Sequence, residues 1–215
     1  IAVSELSMSE FGWMLVALFV ALGVSGTIVL GLRWWQTPER LPNPVFTTLF
    51  QTTTRWNAFI TLAAVELFVG PQGIAFVALL IAVLVPLINI ANVVVLAFFG
   101  PPQAQSIPVA HHVLKTPLVQ ACAIGIAINL SGLSLPDFAL QTLDLVGRAA
   151  LGVGILAIGA GVNAERLFQR STAMMFGVVF RMTSGPIIFL AVATKFGLGV
   201  TEVLIGIIIL VGPAA

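Results

Sequence analysis

Charge is what this chain has least of. Only 8% of its 215 residues are Asp, Glu, Lys or Arg, against roughly a quarter in an ordinary soluble domain. Solvated side chains therefore cannot cover a globule of this size. The net charge of +1 leaves no basic stripe to neutralise phosphates, which excludes a nucleic-acid partner. Cys122 is the one cysteine, so no internal disulfide can form, and its place among alanine and isoleucine suits packing. His111 and His112 sit side by side in a proline-containing linker without metal-ligand spacing, and no histidine falls inside an apolar segment. With no H-E-x-x-H and no paired aspartates at membrane depth, neither an enzyme, a metal site nor a cofactor is expected. The ~10-residue strict alternation of a transmembrane barrel is missing as well.

What the chain has instead is apolar length. It is 59% hydrophobic with a mean hydropathy of +1.12. Seven apolar segments cover about 11–32, 57–69, 73–99, 116–133, 138–162, 173–195 and 199 onward. A helix of ~20 residues crosses ~30 Å of hydrocarbon, and helices satisfy their own backbone groups there. The expected fold is thus an all-α, polytopic transmembrane bundle in contact with the lipid bilayer. Basic residues fall in alternate gaps: Arg33, Arg40 and Arg55, then none, then Lys115, none, Arg166 and Arg170, and finally Lys195 alone. This alternation predicts seven crossings with the 101–115 linker cytoplasmic. Trp34 and Trp35 mark an interface. The first run is too long for a signal peptide and ends in Arg33-Trp34-Trp35, not at small residues. Ile1 at one end and Gly212-Pro213-Ala214-Ala215 inside an apolar run at the other are read as the ends of a fragment.

The second segment is too short. Asn57 to Val69 rises only ~20 Å as a helix. It must either extend through Thr52-Thr53-Thr54 or break at the membrane midplane, as helices do in inverted-repeat transporters. The last segment, ending Val211-Gly212-Pro213, also carries helix-weakening residues. The two lie five apart in the order, the spacing of two five-helix repeats.

These residues carry a family resemblance. Arg55-Trp56-Asn57-Ala58-Phe59, with Glu66 through Ala75 (E-L-F-V-G-P-Q-G-I-A), resembles the fourth-helix region of the auxin efflux carrier family. Val85-Pro86-Leu87-Ile88-Asn89-Ile90-Ala91-Asn92-Val93 is similar to the family's fifth helix, and Thr116-Pro117-Leu118-Val119 to the opening of the sixth. Gly147-Arg148-Ala149-Ala150-Leu151 with Ile158-Gly159-Ala160-Gly161 resembles the seventh, and Pro213 matches the ninth-helix crossover proline. The resemblance implies two inverted five-helix repeats, of which this fragment holds helices three to nine of ten. Residues 1–100 would supply helices three to five, 101–115 the cytoplasmic linker and 116–215 helices six to nine. It implies secondary active transport of a small organic anion such as a carboxylate, in a bacterial inner membrane. It leaves a homodimer open. A sodium-coupled symporter on a related fold is the alternative, followed by a non-transporting receptor or structural protein.

Candidate site residues follow from polarity at depth. Arg181 is a cation deep in its segment, so it should face a cavity, a carboxylate or an anionic substrate, or else pair structurally with another helix. Asn89 and Asn92 share a face after Pro86, which removes a backbone donor, and are either solute contacts or interhelical hydrogen bonds. Asn57 is a substrate contact or an N-cap. Gly212 and Pro213 are read as the second crossover, mostly through the resemblance. Glu66 is the candidate for ion coupling, by proton or sodium, with an interfacial carboxylate as the simpler account. Asp144 and Arg148, four apart, suit a local ion pair. The Gly23–Gly26 and Gly152–Gly154 runs suit close helix packing and not phosphate binding, since no strand precedes them.

Overall fold

The computed structural model describes residues 8–36, 39–100, 117–133, 135–161 and 172–214. Among these the secondary structure is all helical: α1 (Met8–Trp35), α2 (Asn43–Thr54), α3 (Ala58–Phe68), α4 (Pro71–Phe99), α5 (Pro117–Leu130), α6 (Asp137–Gly161), α7 (Thr172–Phe196) and α8 (Val200–Val211). Four of them hold stretches long and apolar enough to cross a membrane: Ser9–Trp35, Pro71–Phe99, Asp137–Gly161 and Met175–Phe196. The chain is therefore a multi-pass membrane protein by length and composition of its helices. His111, His112, Lys115, Arg166, Arg170 and the 101–115 linker lie outside the described residues.

The short second segment resolves into two half-helices. α2 rises ~18 Å and α3 ~16 Å, so together they reach across a bilayer while neither does alone. Arg55, expected in a loop at the cytoplasmic surface, stands at the break between them, and the turn-rich stretch before it gives way to α2 at Asn43. Hydropathy hides α2 because its sequence, NPVFTTLFQTTT, is rich in threonine. Four of its five threonine hydroxyls are satisfied inside the helix, however. Thr48 and Thr54 donate to Pro44 and Phe50 carbonyls at 2.8 and 2.9 Å, and Thr53 donates to Leu49 at 2.9 Å. Back-bonding of this kind lets a threonine-rich helix enter an apolar environment.

Two apolar clusters divide the core. One joins Met14, Leu18 and Leu22 of α1, Val65 of α3, Phe76 to Leu84 of α4, Phe189 of α7 and Ile205 to Leu210 of α8. The other joins Val29, Phe46, Leu49, Phe50 and Val95. Between them, on four helices, fall the buried polar residues Ser25, Thr54, Asn92 and Arg181. Ser25 and Ser184 hydroxyls meet at 3.2 Å and tie α1 to α7 across this layer.

Close approaches depend on glycine. Gly70 turns α3 into α4 at φ 89°, a conformation open chiefly to glycine. A Cβ on Gly206 would clash with the Phe189 ring, whereas one on Gly23 would meet nothing within 4 Å. Gly206→Val should thus destabilise the protein by about 1–3 kcal/mol through overpacking. Gly23→Ala should be neutral or stabilising by up to ~1 kcal/mol, since alanine favours the helix. Thermal unfolding of the purified protein in detergent checks both.

Candidate functional site

The break between α2 and α3 follows from local chemistry. Three consecutive threonines weaken the end of α2. Arg55 then adopts extended backbone (φ −94°, ψ 148°), and Asn57 starts α3 as its N-cap. Asn57 Oδ1 accepts hydrogen bonds from the Phe59 and Ile60 backbone N–H groups at 3.1 and 3.2 Å. An asparagine here satisfies two of the donors that a helix start leaves orphaned.

The end of α8 meets this break. The Asn57 backbone N–H donates to the Pro213 carbonyl at 2.9 Å. Gly212 stands so close that a Cβ there would lie 3.0 Å from the Ile208 carbonyl and 3.6 Å from Thr61 Oγ1. The two segments with helix-weakening residues therefore touch, and do so through main-chain atoms.

Arg181 holds them together. It lies ~14 Å along α7, deep within the span, and is 6% exposed. Its Nη1 donates to the carbonyls of Thr52 (2.7 Å), Thr53 (3.4 Å) and Arg55, all at the end of α2. Its Nε donates to Gly212 O at 3.0 Å and its Nη2 to Ile209 O at 3.5 Å, both at the end of α8. The last carbonyls of a helix have no intrahelical partner and carry the negative end of its dipole, about half a charge. One guanidinium thus caps the ends of two short helices whose partial charges sum to about its own.

The other expected residues are placed as follows. Asn92 is buried and its amide donates to Thr54 Oγ1 at 3.1 Å and to Ile88 O at 2.8 Å, joining α4 to the last residue of α2. Asn89 is half-buried one turn earlier on α4. Glu66 is exposed near the end of α3, away from the break. Asp144 and Arg148 form the local pair their spacing predicts, Nε to Oδ2 at 3.0 Å on the exposed face of α6. Asn57, Arg181, Gly212 and Pro213 come together, Asn92 braces them through Thr54, and Asn89 and Glu66 have no bond to them.

Two residues that sequence reasoning passed over belong to the same place. Trp56 Nε1 and Thr61 Oγ1 are buried with no hydrogen-bond partner among the described residues. Trp56 lies in the break and Thr61 one turn into α3, against Gly212. The signal was there in retrospect, since both flank Asn57 in a segment too short to span. Comparison with family models, curated proteins and solved structures finds no match for this chain.

The clamp predicts the behaviour of one conservative variant. Lysine keeps the charge of Arg181 but concentrates its donors on one nitrogen, which cannot serve the ends of two helices at once. Arg181→Lys should destabilise the folded protein by about 3–5 kcal/mol, the usual cost of breaking a buried charged network. The unfolding midpoint in detergent measures the loss.

Proposed function

We propose that this chain belongs to a secondary transporter that moves a small organic anion, such as a carboxylate, across a bacterial inner membrane by alternating access. The observation that supports this most is the meeting of the break between α2 and α3 with the end of α8. Asn57 N–H meets Pro213 O where α2 gives way to α3 and α8 ends. Backbone is left irregular at membrane depth only where it lies within protein or lines a polar path. Carriers built on inverted repeats place their substrates at such interruptions.

The chemistry of the spare groups favours an acceptor-rich solute. Trp56 Nε1–H and the Thr61 hydroxyl have no acceptor among the described residues. The Asn57 amide nitrogen bonds to no described residue, because its oxygen alone serves the cap. The start of α3 adds the positive end of a helix dipole. Arg181 contributes charge but chiefly position, since its donors are directed at the carbonyls of α2 and α8. Arg55 brings a second cation to the break. In this reading Asn57, Thr61 and Trp56 contact the carboxylate, Arg181, Gly212 and Pro213 shape the site, and Asn92 holds α2 against α4. Asn89 remains a candidate contact along the path. The resemblance to the auxin efflux carrier family points the same way, with residues 1–100 and 116–215 as portions of the two repeats.

Asn57→Asp tests the anion specifically. Aspartate caps a helix as well as asparagine does, so the melting temperature should change little. Its second oxygen places a negative charge where the proposed solute docks, and like charges brought together cost several kcal/mol. Uptake of succinate into vesicles containing the full-length protein should fall at least ~tenfold. Unchanged or increased uptake would rule out an anionic solute at this position.

A further inference from the structure

A second polar site lies at the opposite end of α8. Glu202, in its first turn, is 8% exposed, which is unusual for a carboxylate. It lines a cavity of about 170 Å³ with Gln72, Gly73 and Phe76 of α4 and Thr201 of α8. The volume is enough for several waters. Its Oε2 lies 2.5 Å from the position a Cβ would take on Gly199, so the side chain folds back over the start of its own helix. No described residue donates to that carboxylate or pairs with it. The neighbouring elements supply few charges. Lys195 in the last turn of α7 and Glu66 on α3 are exposed, Glu10 stands in the first turn of α1, and the first turn of α4 has no acidic residue. Arg33 and Arg181 are committed elsewhere, to Asn43 and to the crossover carbonyls.

A carboxylate that is largely buried, faces a small cavity and has no described partner favours a cation beside it. The Gln72 amide oxygen, the Thr201 hydroxyl and cavity water offer the further oxygens that a small cation prefers. We propose that Glu202, with Gln72 and Thr201, is a monovalent-cation site, filled by a proton or by sodium, that couples ion binding to transport. This rests on the carrier reading above. Glu202 lies on the same 12-residue helix as the carbonyls that Arg181 caps. Neutralising it changes how the first turn of α8 seats on the first turn of α4. A rigid helix delivers that change to Gly212 and Pro213.

The test needs no solute, so its failure leaves the carrier reading standing on Asn57. The melting temperature of the full-length protein is followed at constant ionic strength. Sodium is exchanged for N-methyl-D-glucamine at pH 8, and in a separate arm the pH is lowered from 8 to 6 without sodium. The wild type should gain several degrees in one arm, sodium or proton identifying the ion, and Glu202→Gln should lose that gain. Gln72→Leu, which keeps the carboxylate, should shift the ion's half-saturating concentration at least tenfold and serves if Glu202→Gln fails to fold. A wild type that responds to neither ion overturns the proposal, as does a Glu202→Gln or Gln72→Leu response equal to that of the wild type.

Discussion

A guanidinium held among main-chain carbonyls is the constraint on which the rest of this structure depends. Ending two helices inside a membrane exposes carbonyls with no water to receive them, and each unsatisfied group there costs several kcal/mol. Arg181 answers for both ends at once, taking Thr52, Thr53 and Arg55 from α2 and Ile209 and Gly212 from α8. The compensation is mutual. A lone cation at this depth would itself be expensive, and the two negative dipole ends supply about the opposite charge. Neither the two helix ends nor the buried arginine is tenable without the other.

That mutual dependence explains the layering of the core. Apolar clusters lie on either side, and the polar residues of α1, α2, α4 and α7 share the level between them. Ser25 with Ser184 and Thr54 with Asn92 close their own hydrogen bonds there. The groups left over concentrate at one spot, where Thr61 and Trp56 flank Asn57. Among the described residues, the unsatisfied buried side-chain groups are therefore confined to the break between α2 and α3.

Much of this was legible in the sequence, and the exceptions have physical causes. The long apolar helices follow from hydropathy alone, and the length deficit of Asn57–Val69 announced an interruption. What hydropathy could not show was α2, because its threonines look polar on any scale and become apolar only by bonding to their own helix. For the same reason Arg55 reads as a loop charge, although it stands in the break. The depth of Arg181 was plain, but not its partners. Carbonyls leave no trace in a sequence, so an arginine that caps helix ends is indistinguishable there from one awaiting an anion. Glu202 escaped notice because three residues from a glycine it resembles an ordinary first-turn acid.

The same bonds decide which parts could move as one. Arg181 joins α7 to α2 and α8, Asn92 joins α2 to α4, Ser25 joins α1 to α7, and Asn57 joins α3 to the end of α8. These helices share buried polar bonds, which hold only in a narrow geometry, so separating a bonded pair would strand a polar group in an apolar interior. α6 is different. It meets α3 where Gly154 lies against the Phe59 ring, close enough that a Cβ would come within 2.8 Å of it, and no hydrogen bond joins the described residues of the two helices. Dispersion contacts over a glycine can be exchanged for equivalent ones a turn away at little cost. On the carrier reading proposed above, a bonded body would slide past its support along a seam of this kind, and within the described residues the contact of α3 with α6 is one such seam.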